Sequence, residues 1–148
     1  MKAARMSVDE VERLLAKEFP QAFHPDSGLI VEEVWDGGCR IRQHFRDGFI
    51  RPGGTISGPT MMALADFAFY VALLATIGPQ PLAVTTNLNI NFLRKPERGD
   101  LIARVRMLKL GRRLAVMEAE IFSAAPEAPQ TEPVAHVTGT YSIPPERG

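Results

Sequence analysis

Apolar and polar positions along the chain fall into three kinds of pattern. Residues 7–18 place Val8, Val11, Leu14 and Leu15 on one helical face, and Ser7 with Glu10 makes a capping-box pair. A short amphipathic helix is expected there, ended by Pro20. Residues 29–35 (LIVEEVW) and 39–46 (CRIRQHFR) read as two strands flanking a hairpin turn at Asp36-Gly37-Gly38. A glycine-rich loop, RPGGTISGP, covers residues 51–59 and runs into TMMALADFAFYVALLAT at 60–76. That stretch is apolar on every side, the mark of a helix enclosed by the rest of its fold. Pro59 suits the first turn, where a missing N–H is no loss, and Gly78-Pro79 closes the run.

Beyond the helix the pattern alternates. In residues 85–93, Thr86, Leu88, Ile90 and Phe92 face one way, and Thr85, Asn87, Asn89 and Asn91 the other. The next strand turns Leu101, Ala103, Val105 and Met107 to the core, with Arg104 and Arg106 outside. After Gly111-Arg112-Arg113, Ala115, Met117, Ala119 and Ile121 face inward, with Glu118 and Glu120 outside. A loop rich in Pro and Ala (124–133), a last strand at 134–143 and a frayed PPERG tail complete the chain.

Directly opposed residues of a hairpin share a face, so the odd inward positions on both sides of Gly111 require paired numbers with an even sum. A three-residue loop closed by Leu110 and Leu114 meets that condition and sets Arg106 opposite Glu118 and Arg104 opposite Glu120.

The order is helix, two strands, one long apolar helix, then four strands. That is an α+β pattern, an antiparallel sheet packed against one central helix. At 148 residues the chain is read as one domain, 1–148, with its core at about 27–144. A zero net charge gives no global field for nucleic acid. A membrane span is rejected for residues 60–76, which are at the short limit and carry an acid near the middle. The first residues, MKAARMSVDEVE, lack the apolar stretch of a signal peptide. The single cysteine, Cys39, excludes an internal disulfide, fits a reducing compartment, and reads as a strand residue. A cytoplasmic protein is expected.

Asp66 is the only charge in the apolar helix. A buried carboxylate needs a partner or a task, because desolvation penalises its charged form. Just before it, Ser57-Gly58 stands where helix N–H groups lie unpaired and partially positive, and the loop carrying Gly54 lets a ligand approach the backbone. A carbonyl oxygen gaining charge would be stabilised there, with Asp66 as acid-base or nucleophilic group. Gly58 and Asp66 are eight positions apart, about 12 Å along one helix. One reacting carbonyl cannot lie about 3 Å from both. Antiparallel helices of two subunits can bring them together, so a site shared across a dimer is expected.

The runs SGPTMMALADFAFYVAL and TTNLNINFLRKPERGDLIARVRMLKLGRR resemble the hotdog-fold acyl-CoA thioesterases, specifically the PaaI-like branch of phenylacetate degradation. The resemblance covers roughly residues 30–143, with LADFAF and NFLRKPERGD its most specific parts. It implies a curved antiparallel sheet wrapped around one long helix and hydrolysis of acyl- or aryl-CoA without metal or cofactor. It also implies a homodimer, as a dimer of dimers, with no membrane or nucleic-acid partner. Carried over by position, Asp66 is the catalytic acid, Gly58 the oxyanion donor, and Thr85 a hydroxyl that positions water. Two departures stand out. Ser57-Gly58-Pro59 replaces the usual His-Gly-Gly, leaving Ser57 as the hydrogen-bonding side chain, and Arg51 replaces an Asn. Arg51 is a cation for Asp66 or for a substrate anion. Arg94, Lys95, Arg98, Lys109, Arg112 and Arg113 are candidates for the CoA phosphates. Two alternatives stay open. One is a non-catalytic acyl-CoA-binding protein. The other is a hydratase or dehydratase, which would need a basic histidine; His24, His44 and His136 lie far from the helix in sequence.

Overall fold

Ser7 caps the first helix, α1 (Val8–Glu18). Its side chain accepts from the Glu10 N–H while the Glu10 carboxylate accepts from the Ser7 N–H. The computed structural model describes residues 2–124 and 132–145. After α1 come β1 (Leu29–Trp35), β2 (Gly38–Gln43), a 3-10 turn (Asp47–Phe49), α2 (Gly58–Ile77), β3 (Val84–Phe92), β4 (Leu101–Leu110), β5 (Leu114–Ser123) and β6 (Ala135–Ser142). The six strands form one curved antiparallel sheet in the order β1-β2-β4-β5-β6-β3. This is the α+β hotdog arrangement, with α2 as its filling and α1 as the short N-terminal helix.

α2 is long and apolar enough to cross a membrane, yet it packs against all six strands and α1. Its apolar circumference serves a protein core: Phe69, Val71, Ala72, Leu73 and Leu74 are fully buried. Gly139 on β6 admits the Phe69 ring, since a Cβ there would lie 2.5 Å from it. Cys39 on β2 is buried with its Sγ donating to the Ala68 carbonyl, and burial pushes its thiol up. A strand residue, and not a nucleophile, is what that environment makes.

Four boundaries differ from the sequence pattern for identifiable reasons. The first hairpin turns on two residues, Asp36-Gly37, and Gly38 already pairs with Trp35. Gly37 takes the positive φ of 91° that the turn needs. β2 stops at Gln43, not residue 46, because the Phe45 N–H leaves the ladder to donate to Asp100 Oδ1 at 2.8 Å. Strict alternation in β3 is broken: Thr85 pairs with Tyr141 and Asn87 with Thr140, so Thr86 is an added residue, a β-bulge. The bulge puts Thr85 on the same face as Leu88 and Ile90. In β4–β5, Arg106 stands opposite Glu118 and Arg104 opposite Glu120 as expected. The hairpin end departs from expectation. Leu110 pairs with Ala115 instead of Leu114, and a bulge at Leu108 restores the even sum from Met107 onward. Most of the expected 124–133 loop, and residues 146–148 of the tail, lie outside the described residues.

Candidate active site

The β3 bulge and the β6 register converge on Asp66. Thr85 and Tyr141 are direct partners across β3 and β6, with both side chains turned toward α2. Thr85 Oγ1 donates to Asp66 Oδ1 at 2.6 Å, and the Tyr141 hydroxyl donates to the same oxygen at 2.7 Å. The Tyr141 hydroxyl also lies 2.9 Å from the Asp66 carbonyl oxygen. Burial, reinforced by the Asp66 carboxylate and opposed by the contact from Thr85, raises the Tyr141 phenol well above its ordinary value. Tyr141 therefore stays protonated and able to donate. Its ring stacks on Tyr70 at 6.3 Å, and the Tyr70 hydroxyl is itself held by the Pro81 carbonyl at 2.7 Å.

Asp66, Thr85 and Tyr141 form the polar end of a cavity of about 460 Å³. Its apolar wall includes Phe19, Ala22, Ala63, Phe67 and Val84. Phe19 follows α1, so the N-terminal segment closes one side of the space beside Asp66. Phe19 meets Tyr70 edge to face at 6.0 Å, and Phe23 stacks on Phe67 at 6.0 Å, which ties that segment to α2. Hydroxyls at one end and apolar surface along the wall suit an acyl group with a polar reacting centre.

The other sequence candidates are spread more widely. Ser57 is the N-cap of α2, with its Oγ 2.8 Å from Thr60 Oγ1, and Gly58 opens the helix. A Cβ at Gly58 would lie 3.0 Å from the tip of the Phe92 ring, so a side chain there would make that ring give way. Arg51 and Gly54 are exposed on the loop before α2, joined by a Gly54 N–H to Arg51 carbonyl bond of 3.0 Å. Neither reaches the cavity beside Asp66 within one chain. Arg94 turns to the Pro133 carbonyl and Glu132. Arg98 pairs with Asp47 at 3.2 Å, and Lys95 and Lys109 are exposed. Arg112 and Arg113 line a second cavity of about 560 Å³, together with Arg5. Asp66 and Thr85 are thus brought together in one chain, while Gly58 stands at the far start of the same helix.

Tyr141 is the residue that sequence reading missed. A signal for it exists: Ala135, Val137, Gly139 and Tyr141 alternate inward on β6, and an inward phenol needs a hydrogen-bond partner. The three histidines have local partners instead. His24 accepts from the Asp26 N–H, His44 meets Asp100 and His136 meets Glu118.

Known proteins resemble this chain in sequence and fold. The thioesterase superfamily profile matches residues 53–129. A "putative esterase" of Halobacterium salinarum is 30% identical over 135 residues, covering 83% of this chain and 87% of that protein. The crystal structure of a "putative thioesterase" from Silicibacter sp. superposes with a TM-score of 0.82 at 43% identity, covering 96% of this chain and 94% of that one. A point mutant of phenylacetic acid degradation protein PaaI from Thermus thermophilus gives 0.68 at 29% identity, covering 79% of this chain and 94% of that one. The chain belongs to the thioesterase superfamily, as a thioester hydrolase of the hotdog fold on its PaaI-like branch.

Proposed function

We propose that the protein hydrolyses acyl-CoA or aryl-CoA thioesters at a site completed by a second copy of the chain. The observation that carries this is the Asp66 carboxylate, aimed by two hydroxyls into the end of an apolar cavity. The acyl group lies along the Phe19, Phe67 and Val84 wall. Asp66 acts on the thioester carbonyl carbon, as a nucleophile or through a water whose proton it takes. The N–H of Gly58 of the partner subunit holds the oxygen that becomes negative. Collapse breaks the C–S bond. On the water route Asp66 returns the proton it took to the leaving CoA sulfur. On the nucleophilic route CoA leaves as a thiolate, and water then splits the Asp66–acyl anhydride to give the acid, the free Asp66 carboxylate and the proton that makes the thiol. Water is the only co-reactant, and no metal or cofactor beyond substrate CoA takes part. Arg51, Gly54, Arg94, Lys95, Lys109, Arg112 and Arg113 supply contacts for the CoA portion, and the cytoplasm is the site of action.

The second copy is required because Gly58 and Asp66 of one chain are about 12 Å apart along α2. The edge strand β3, with Val84 and Phe92 exposed, supplies a pairing surface for it. The histidine contacts argue against a hydratase, since none of the residues described along the cavity beside Asp66 is a histidine.

Release of CoA thiol across a panel of acyl- and aryl-CoAs tests the reading. Turnover by the wild type is expected, and a protein that releases no thiol from any of them is not this enzyme. Light scattering is expected to show a dimer or dimer of dimers; a stable monomer at micromolar concentration removes the shared site. In single-turnover hydrolysis in labelled water, label entering Asp66 identifies the nucleophilic route.

A further inference from the structure

The two oxygens of Asp66 have different surroundings. Oδ1 accepts from both Thr85 and Tyr141. Oδ2 accepts from no group among the described residues, and it is not a buried atom lacking a partner, so it opens on the cavity. We propose that Tyr141 is a positioning residue: with Thr85 it pins Oδ1 of Asp66, so that Oδ2 is the oxygen presented to the substrate. The inference rests on the thioesterase reading and goes beyond it in naming the reacting oxygen and the group that selects it.

The physical need is clear. The last torsion of an aspartate is broad, so a carboxylate held at one point can turn either oxygen toward the substrate. Two donors approaching Oδ1 from different strands remove that freedom. Productive chemistry needs the reacting oxygen within a few tenths of an ångström and a narrow cone of angles. Tyr141 is well suited to the task. It is 3% exposed, its ring is stacked on Tyr70, and its cross-strand pairing with Thr85 fixes the spacing of the two hydroxyls. A buried phenol beside a carboxylate keeps its proton, so Tyr141 stays a donor toward Oδ1.

The role also revises what Thr85 does. The Thr85 hydroxyl has one proton, and that proton goes to Oδ1. Toward water, Thr85 is left with acceptor lone pairs only. Its first task is then to orient the acid, in concert with Tyr141.

Tyr141→Phe keeps the ring and removes the hydroxyl. The expected result is a kcat lower by about tenfold to a hundredfold, the range for losing a hydrogen bond to a charged group, with KM within about twofold. Thr85→Ser, which keeps a hydroxyl, is expected to stay within about threefold of wild type, while Thr85→Val loses activity like Tyr141→Phe. A Tyr141→Phe enzyme with wild-type kcat overturns the proposal, as does one whose whole defect is in KM. If the wild type releases no CoA from any thioester, the hydrolysis reading fails separately. Crystal structures of wild type and Tyr141→Phe then decide the positioning claim. A carboxylate turned away from its wild-type orientation supports it; one that stays in place overturns it. Should Tyr141→Phe not fold, the contrast between Thr85→Ser and Thr85→Val decides, and equal activity of the two overturns the claim.

Discussion

Asp66 and Asp100 are two aspartates of one chain with opposite treatment. Asp100 sits where β2 leaves the sheet. Its Oδ1 takes the Phe45 N–H at 2.8 Å, and its Oδ2 meets Arg42 at 3.2 Å and His44 at 3.1 Å. Both oxygens are occupied and a cation neutralises the charge. Burial alone would raise its carboxyl, yet the Phe45 N–H, His44 and Arg42 together hold it below the ordinary range. Arg42 is shared with Glu32, at 2.7 Å, so the charges form a closed network. Asp66 has two neutral donors on one oxygen, no ion-pair partner among the described residues, and an open second oxygen beside a cavity. A saturated carboxylate fastens a fold; a half-satisfied one facing a cavity is equipped to react.

Replacement of each acid breaks or sharpens that contrast. Asp66→Asn is expected to have the largest effect, a loss of turnover of at least about a hundredfold, since in the proposed reaction the group acts on the proton or carbon that reacts. Its melting temperature should stay close to wild type, because an amide oxygen can still accept from Thr85 and Tyr141. Thiol-release kinetics and thermal unfolding measured together check this. A variant with wild-type turnover ends the catalytic assignment. Thr85→Ala follows, with kcat down about tenfold and KM little changed, because one donor to a charged group is lost. A large rise in KM with constant kcat would make Thr85 a binding residue only.

What the sequence discloses differs between the two acids for the same physical reason. Asp66 stands alone in an apolar run, so its burial and its isolation are both written in local pattern. Asp100 is one charge among Arg94, Lys95, Glu97 and Arg98, and only the tertiary meeting with Arg42 and Phe45 distinguishes it. Long periodic elements are legible: α1 with its capping box, α2, and the Arg106–Glu118 register all follow from spacing. The bulges at Thr86 and Leu108 are not, because one inserted residue leaves composition and propensity unchanged. Yet the Thr86 bulge is what brings Thr85 to Asp66. The second donor, Tyr141, comes from the far end of the chain, beyond the reach of any local motif.

Asp100→Asn is expected to reverse the pattern of Asp66→Asn. Turnover stays within about twofold, and stability falls by about 1 kcal/mol, the lower part of the range for bonds to a charged group since the side chain is partly solvated. Its carboxyl titrates lower in the folded chain than in the unfolded one. The stabilisation is therefore complete above the unfolded value, about 3.9, and disappears as pH falls through the folded value. Wild type should lose its melting-temperature advantage over Asp100→Asn as the pH drops below about 4. A gap that widens on acidification contradicts the network.

The smallest effect is expected from an acid on the outer face of the sheet. Glu118 stands opposite Arg106 and accepts from its Nε at 3.0 Å, while His136 on β6 reaches its other oxygen at 3.1 Å. The bonds from His136 and Arg106 hold its carboxyl below the ordinary range, outweighing burial. Like Asp100 it is satisfied on both oxygens, but the Arg106 side chain is 71% exposed. Water and salt weaken such a pair, and holding a long side chain in place carries an entropy penalty. A double-mutant cycle of Arg106→Gln and Glu118→Gln, read by urea unfolding, should give a coupling of about 0.2–1 kcal/mol. The lowered carboxyl makes the coupling complete above the ordinary glutamate range and lost as pH falls through the folded value. High salt should reduce it further, and turnover should not change, since neither side chain lines the cavity beside Asp66. A coupling several times larger and insensitive to salt would mean that exposure does not set the strength of these pairs. The distinction between fastening acids and reacting acids would then need a different physical basis.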